Sequence, residues 1–239
     1  MSQQDRRIAY HNRPGTEPTV LFLPGYMSDM EGTKALALDR WAQDRGRAYI
    51  RFDYGGCGGS SGDFEGQTMV DWRDDAVAMI DEVAQGRVLL VGSSMGGWLM
   101  LHAAMARPDR VAGLVGIAAA PDFTHWGYTQ DEKIRIRDEG RLERASPYSD
   151  QPTVTTRALW ESGESMRLLH AEIPIDCPVH LLHGQLDQDV PWTYALELMK
   201  LLRSADVQTT IVKDGDHRLS READIALLIG TVATMLETL

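Results

Sequence analysis

Short apolar runs recur along the chain and are separated by longer polar or helical segments. Most of the runs are rich in valine, isoleucine and leucine, a composition typical of strands that are buried on both faces. The predicted strands are Arg7 to His11, Val20 to Leu23, Ala48 to Asp53, Val88 to Gly92, Val111 to Ala118, Val179 to His183 and Gln208 to Lys213. Because the turn-forming residues Asn12 to Gly15 separate the first two strands, we expect an antiparallel hairpin at the start of the sheet.

Segments whose apolar residues recur at helical spacing lie between these strands. The predicted helices are Lys34 to Arg45, Met69 to Ala84, Gly96 to Arg107, Trp192 to Arg203 and Ala223 to Glu237. Strands that alternate with helices in this way are typical of the α/β class, in which a mostly parallel sheet is flanked by helices on both faces. No repeat or Pro/Ser-rich linker divides the 239 residues, so we expect one domain over residues 1–239.

One stretch, Pro121 to Pro174, departs from this alternation. It is polar, carries scattered aromatic residues and has no clear strand, and it is too long for a plain loop in a compact domain. We therefore predict a small helical cap, with helices at Lys133 to Arg144 and Val154 to His170. The aromatic residues of the cap either line a cavity or pack the cap onto the main domain; they are Trp126, Tyr128, Tyr148 and Trp160.

Composition narrows the class of protein. The formal net charge of −11 disfavours nucleic acid as a partner, because an acidic surface repels phosphate backbones. The two cysteines are too few for a disulfide framework. The longest apolar stretch, Val111 to Ala120, is too short to span a bilayer, and the charged N-terminus has no apolar signal region. We expect a cytoplasmic protein without stable membrane insertion; composition gives no oligomeric state.

The candidate nucleophile is Ser94, which lies between an apolar strand and a helix pattern. Gly92 and Gly96 flank it in a Gly-x-Ser-x-Gly turn, the nucleophile-elbow arrangement. The turn is sterically crowded, so side chains two residues before and after the serine would collide. Such five-residue matches also arise by chance, and the strand before and the helix after the turn are what favour the catalytic interpretation.

A serine hydroxyl needs a base to take its proton and a third group to orient that base. His217 is the candidate base, because it follows the last predicted strand, where an open α/β sheet builds its site. A lone loop histidine would otherwise be interpreted as a surface residue. The other histidines considered fit less well: His102 falls within an apolar helix, and His180 and His183 face opposite sides of a strand, so they cannot share a metal.

The candidate acid follows the penultimate strand. Asp187 and Asp189 both qualify by position, and Asp187 is preferred for its spacing from the Val-Pro that precedes the next helix. Asp214 and Asp216 are too near His217 in sequence and are expected to shape its turn. The resulting order of serine, aspartate and histidine is the α/β-hydrolase order.

An oxyanion hole requires two backbone N–H groups. Met95, the residue after the nucleophile, is the first candidate donor. Tyr26 is the second, because it follows a buried strand and Gly25, which would let the backbone approach the substrate oxygen. The alternative is a tight turn with Tyr26 merely packed nearby.

The glycine-rich segment Gly55 to Gly62 also follows a strand, but no Gly-Lys-Ser/Thr completes a phosphate-binding loop. It is interpreted as a flexible turn that leads the chain away from Asp53. Cys57 in this segment could be an exposed thiol without a dedicated base. No residue pattern calls for a cofactor or a metal.

The stretch from Val20 to Leu236 resembles the α/β-hydrolase family. Five motifs carry a narrower resemblance, to mitochondrial palmitoyl-protein thioesterases that also cleave mycophenolic acid acyl-glucuronide: Phe22 to Tyr26, Ile50 to Tyr54, Gly92 to Ala104, Cys177 to Gly184 and Asp216 to Arg218. The resemblance implies an α/β-hydrolase fold and a triad of Ser94, Asp187 and His217. It also implies cleavage of S-acyl thioesters and acyl-glucuronides, here by a bacterial-type relative, because the chain begins close to its first predicted strand.

These patterns predict a cofactor-independent serine hydrolase that acts on a small-molecule ester or an S-acylated substrate through an acyl-enzyme. A carboxylesterase for small esters is the second hypothesis. A non-catalytic protein that keeps the fold and binds an apolar ligand is the third, and a peptidase is the fourth.

Overall fold

The computed structural model describes residues 7–146 and 150–239. The strands of these ranges are β1 Tyr10–Arg13, β2 Thr16–Leu23, β3 Arg47–Phe52, β4 Val88–Ser93, β5 Val111–Ile117, β6 Arg141–Arg144, β7 Thr153–Thr156, β8 Val179–Gly184 and β9 Val207–Val212. Seven of them form one sheet in the order β1-β3-β2-β4-β5-β8-β9. Only β1 runs antiparallel to its neighbour in this sheet; the other neighbouring pairs are parallel.

The expected hairpin at the start of the sheet is wrong. β1 pairs with β3, with Tyr10 opposite Phe52 and Arg13 opposite Tyr49. β2 cannot accept β1, because β3 and β4 already occupy its two edges. The turn before β2 instead crosses the start of β3, where the backbone N–H of Thr16 donates to the carbonyl of Gly46 at 2.8 Å.

Helices cover both faces of the sheet, which confirms the predicted fold class. They are α1 Thr33–Arg45, α2 Met69–Ala78, α3 Met95–Ala106, α4 Phe123–Trp126, α5 Gln130–Glu139, α6 Arg157–Ser165, α7 Thr193–Leu201 and α8 Glu222–Thr238. A π-helical turn at Met79–Val83 extends α2, and a 3-10 turn lies at Phe64–Gly66. No helix of residues 7–146 and 150–239 combines the length and the apolar character that a bilayer crossing requires.

The core consists of two layers because neighbouring residues of each strand point to opposite faces. In β2, Val20 and Phe22 pack with buried residues of α1 and α8, such as Leu38 and Leu228. Leu21 and its alternate neighbours pack into the second layer, which α2, α3 and α7 cover. Burial on both faces holds the carboxyl ends of the parallel strands in place, and those ends carry the candidate site.

The 121–174 stretch differs from the predicted helical cap. α5 ends at Glu139, because Gly140 adopts the left-handed conformation, with φ at 86°. The next four residues form β6, which pairs with β7 in a separate two-stranded antiparallel sheet. The predicted helix from Val154 therefore starts only at Arg157, since the preceding β-branched residues favour a strand.

The two ends of the cap are joined by one carboxylate. Asp122, which is buried, accepts hydrogen bonds from the backbone N–H groups of Leu168 at 2.8 Å and Leu169 at 2.9 Å. The residue that precedes α4 is therefore bonded to the segment that follows α6. Tyr148, one of the predicted cap aromatics, lies outside the described residues.

Candidate active site

Ser94 sits in the turn between β4 and α3 with a φ of 54° and a ψ of −118°. This strained conformation is held by the sheet, because the serine N–H donates to the carbonyl of Ile117 at 2.9 Å. A Cβ on Gly92 would lie 2.4 Å from the Gly96 carbonyl oxygen, and one on Gly96 would lie 2.2 Å from that of Leu23. The close approach of these backbones explains both glycines of the motif.

The structure brings the three predicted triad residues together. His217 lies in the loop after β9, and its Nε2 is 3.1 Å from the Oγ of Ser94. Its Nδ1 is 2.8 Å from Oδ2 of Asp187, in the loop after β8. The contacts are continuous from hydroxyl to imidazole to carboxylate, which is the arrangement that activates a serine nucleophile.

Asp187 is buried and accepts four hydrogen bonds. Its Oδ1 accepts from the backbone N–H groups of Asp189 at 2.9 Å and Val190 at 2.8 Å. Its Oδ2 faces His217 and also Nε2 of His183, at 3.0 Å. Burial by itself would raise the pKa of the Asp187 carboxyl, but the hydrogen bonds from His183 and His217 outweigh it and hold the pKa well below its usual range. The group is therefore ionised at neutral pH.

His183 is the side chain in contact with this acid that the sequence reasoning did not assign to the site. It lies four residues before Asp187, at the start of a His-Gly-Gln-Leu-Asp sequence that bends directly after β8. A histidine and an aspartate at this spacing across a strand end are the signal that could have identified it.

Nδ1 of His217 contacts Asp187 and not the second acid candidate, Asp189. Its carboxylate lies in the same cluster, where ligand atoms of Asp187, Asp189 and His217 come within 4.8 Å of one another. Such a set could hold a cation by distance alone. Both oxygens of Asp187 are already engaged by N–H donors, and both ring nitrogens of His217 face Asp187 and Ser94, so the donor set suits hydrogen bonding better than metal binding.

The two predicted oxyanion donors flank Ser94. Met95 is the first residue of α3, where backbone N–H groups have no partner within the helix. The loop that carries Tyr26 passes directly beside the serine, because a Cβ on Gly25 would lie 3.4 Å from the Cβ of Ser94.

The side chain of Tyr26 points into the cap. Its ring contacts Phe64, Trp72 and Phe123, with centroids 5.5 to 5.9 Å apart. Its hydroxyl donates to the backbone carbonyl of Val154 in β7, and burial raises the pKa of the phenol far above its usual value. The loop of the candidate oxyanion hole is thus bonded to the cap.

Two cavities meet at Ser94 and His217. One, of about 270 Å³, lies under the cap and is lined by aromatic residues that include Phe123, Trp126 and Tyr128. The other, of about 230 Å³, lies beside α1 and is lined by polar groups that include Lys34 and Arg218. Trp160 is not a lining residue of either cavity; its indole N–H donates to the carbonyl of Thr124 within the cap.

The remaining sequence candidates lie apart from this chemistry. His102 is held by the carbonyl of Met166 at 2.9 Å, and burial lowers the pKa of its imidazole to about 4. Asp214 pairs with Arg221, and Asp216 accepts the backbone N–H of Leu219, so both shape the loop around His217.

The glycine-rich segment wraps around Asp53. Gly59 and Met30 donate their backbone N–H groups to the Asp53 carboxylate at 2.8 and 2.7 Å. Gly58, with φ at 48°, is needed because a Cβ there would lie 2.2 Å from the same carboxylate. Cys57, which the sequence allowed to be an exposed thiol, is only partly exposed, and burial raises the pKa of its thiol to about 12.

Comparison with known proteins gives a consistent result. A family model described as alpha/beta hydrolase fold matches residues 18–134. The mitochondrial palmitoyl-protein thioesterase ABHD10 of Bos taurus is 42% identical over 236 residues, which is 97% of this chain and 77% of that protein. The human ABHD10 is 40% identical over the same shares of the two chains.

Solved structures agree with these relatives. Mouse alpha/beta hydrolase domain-containing protein 10 superposes with a TM-score of 0.92 at 38% identity, covering 100% of this chain and 97% of that one. A putative hydrolase from Agrobacterium vitis gives 0.93 at 40% identity, covering 99% and 95%.

The expectation of a cytoplasmic protein is wrong by the same comparison. The bovine, human and orangutan relatives, at 40–42% identity, are all named as mitochondrial, which points to a mitochondrial rather than a cytoplasmic location.

Proposed function

This chain belongs to the α/β-hydrolase family, in the group of the palmitoyl-protein thioesterases, and from that premise we propose that it hydrolyses acyl thioesters and esters through Ser94, His217 and Asp187. The observation that carries the proposal is the unbroken pair of contacts, 3.1 Å from Ser94 Oγ to His217 Nε2 and 2.8 Å from His217 Nδ1 to Asp187 Oδ2. No step of the proposed reaction requires a metal or an organic cofactor.

In the first half-reaction, the Ser94 hydroxyl donates its proton to Nε2 of His217 as Oγ attacks the acyl carbon. The carbonyl electrons move onto oxygen, and the N–H groups of Met95 and Tyr26 stabilise that oxyanion. Asp187 accepts from Nδ1–H and stabilises the imidazolium. The imidazolium then protonates the departing thiolate or alkoxide as its bond to carbon breaks, which leaves an acyl-serine.

In the second half-reaction, a water molecule donates a proton to Nε2 of His217 and attacks the acyl carbon. The bond to Ser94 Oγ breaks, the serine recovers the proton, and the carboxylic acid is released. The cavity under the cap suits the acyl group, because Phe123 and Trp126 give it an apolar wall.

The test compares hydrolysis of a p-nitrophenyl ester and a palmitoyl thioester by the parent and by Ser94→Ala. Loss of the nucleophile from a triad costs on the order of a millionfold in turnover. Ser204→Ala is the matched control, because this serine precedes β9 at the opposite end of the sheet from Ser94, and its hydroxyl contacts the backbone of Asp206 within the same turn. Parental rates in Ser94→Ala would disprove the proposal.

A second substrate class is acyl-glucuronides, and the charged side chains that line the cavity beside α1 favour it. A glucuronate leaving group is rich in hydroxyls and carries a carboxylate, and Lys34 and Arg218 supply positive charge at that cavity. Ratios of kcat/KM for an acyl-glucuronide and a thioester of the same acid would rank the two classes. A series from acetyl to palmitoyl esters would separate either class from a small-ester carboxylesterase.

A further inference from the structure

His183 is a buried side chain that the proposed mechanism does not yet use. It lies on β8 with 1% of its surface exposed. Its Nε2 is 3.0 Å from Oδ2 of Asp187 and 3.0 Å from the backbone carbonyl of Val190. A carbonyl oxygen can only accept, so Nε2 must carry the hydrogen, and the ring donates to both oxygens.

This contact fixes the tautomer of His183. With the hydrogen on Nε2, a neutral ring leaves Nδ1 as an acceptor, and Nδ1 is buried without a hydrogen-bond partner among residues 7–146 and 150–239. An unpaired buried nitrogen costs stability, and an apolar residue of similar size would avoid that cost. The hydrogen bond that His183 donates to Asp187 is what compensates for the unpaired Nδ1.

The oxygen that receives this bond is the one that faces the candidate base. Oδ2 of Asp187 accepts one N–H from His183 and one from His217, at 3.0 and 2.8 Å. Oδ1 is held by two backbone N–H groups. Each oxygen is therefore held by two donors, and the carboxylate cannot rotate away from His217 without breaking at least one of these bonds.

Resting on the function proposed above, we propose that His183 is a positioning residue, which orients Oδ2 of Asp187 toward His217 and takes up part of that oxygen's negative charge. Without the N–H of His183, the negative charge on Oδ2 of Asp187 acts on His217 alone and favours the imidazolium form of His217. The free base that accepts the Ser94 proton then becomes available only at higher pH. The carboxylate also gains freedom to turn, which misaligns the imidazole.

The other charged groups around His217 are the same with or without His183. Those of the described residues are Asp189 on the Asp187 loop, Asp216 and Arg218 beside His217, Asp29 and Lys34 at the cavity beside α1, and Arg144 from the cap. Of these, Lys34 is tied to the loop itself, since its Nζ donates to the Arg218 carbonyl at 2.5 Å. A pH shift confined to His183 variants therefore reports the bond to Asp187.

Three variants test the proposal. His183→Leu removes the donor at similar volume, His183→Gln retains an amide N–H near the position of Nε2, and His180→Leu is the control, because His180 lies on the same strand and faces the other side of the sheet. Rates per folded protein are measured from about pH 5 to 9, a range in which the acid limb of kcat/KM reports the free enzyme.

For His183→Leu we expect kcat to fall about tenfold, the typical effect of losing a hydrogen bond to a charged group, with the acid limb moved to higher pH and KM unchanged. His183 lines neither of the two cavities, so substrate binding should not change. His183→Gln should restore most of kcat and the position of the limb, and His180→Leu should match the parent. A parental profile in His183→Leu, even with lower stability, would overturn the proposal.

A second measurement keeps the proposal testable when His183→Leu does not fold. Nitrogen-15 NMR of the parent should show that Nε2 of His183 carries a hydrogen, as its contacts with Asp187 and the Val190 carbonyl require. An Nε2 without a hydrogen would overturn the proposal. This readout does not depend on turnover, so a failure of the proposed hydrolase function, seen as unchanged rates in Ser94→Ala, is distinguishable from a failure of the His183 assignment.

Discussion

Tyr26 connects the loop beside Ser94 to the cap, and a single substitution of this residue removes the connection. Its backbone N–H is the proposed oxyanion donor, whereas its hydroxyl donates to the carbonyl of Val154 in the cap. Tyr26→Phe removes only the hydroxyl. The variant therefore leaves the oxyanion donor in the chain and cuts the bond between the oxyanion loop and β7.

The expected cost follows from the group that is left behind. The Val154 carbonyl loses its donor in a partly buried position, which costs about 1–2 kcal/mol of unfolding free energy. For a protein of this size that corresponds to a fall in Tm of roughly 3–6 °C. Because the loop beside Ser94 is then less firmly placed, we expect kcat to fall by up to about tenfold.

Tyr54→Phe is the matched control for this experiment. The Tyr54 hydroxyl is fully buried and has no hydrogen-bond partner among residues 7–146 and 150–239, so its removal leaves no orphaned acceptor. Calorimetric unfolding and ester hydrolysis of both variants, measured side by side, make the test. Equal Tm and kcat in Tyr26→Phe and Tyr54→Phe would refute the role of the Tyr26 bond.

Two further substitutions have outcomes set by the structure. Gly96→Ala places a Cβ 2.2 Å from the Leu23 carbonyl oxygen, so we expect a loss of about 1–3 kcal/mol in unfolding free energy and a displaced nucleophile, visible as low turnover per folded molecule. A circular-dichroism melt and a hydrolysis rate that both match the parent would contradict this. His102 has a pKa lowered from 6.5 to about 4 by burial, so the unfolded chain binds its proton first and stability should fall as pH drops through that window. Urea unfolding of His102→Gln should show a shallower fall than His170→Gln, whose histidine is exposed, and equal slopes would exclude the effect.

The nucleophile turn could be predicted from sequence because its Gly-x-Ser-x-Gly pattern is local. Gly92 is required by the approach of Gly96 and Gly97 just after it, whereas Gly96 is required by the carbonyl of Leu23 in the neighbouring strand β2. The positions of Asp187 and His217 could be inferred as well, since loops after parallel strands meet at one edge of the sheet. Their mutual distances depend on the whole sheet and needed the structure.

The elements that the sequence patterns misassigned are determined by pairing with strands that lie farther along the chain. β1 has a turn directly before β2, yet both edges of β2 are taken by strands from farther along the chain. In the cap, β6 follows α5 directly after the left-handed Gly140, and it is a strand because it pairs with β7. His183 is the exception, because its bond to Asp187, four residues later, depends only on the local bend after β8.

The hydrogen bonds of Asp122, which join the two ends of the cap, affect how readily the cap sequence can change in an enzyme of this fold. Because this carboxylate holds Leu168 and Leu169, the 121–174 segment is a loop pinned at its stem. The entropy of closing a pinned loop grows only with the logarithm of its length. Residues can therefore be added or lost inside the cap, away from the part of β7 that Tyr26 contacts, at little thermodynamic penalty to the sheet. Such changes alter the wall of the cavity under the cap and leave the loops of Ser94, Asp187 and His217 in place. The same core could in this way be fitted to new acyl groups by altering one contiguous segment of the chain.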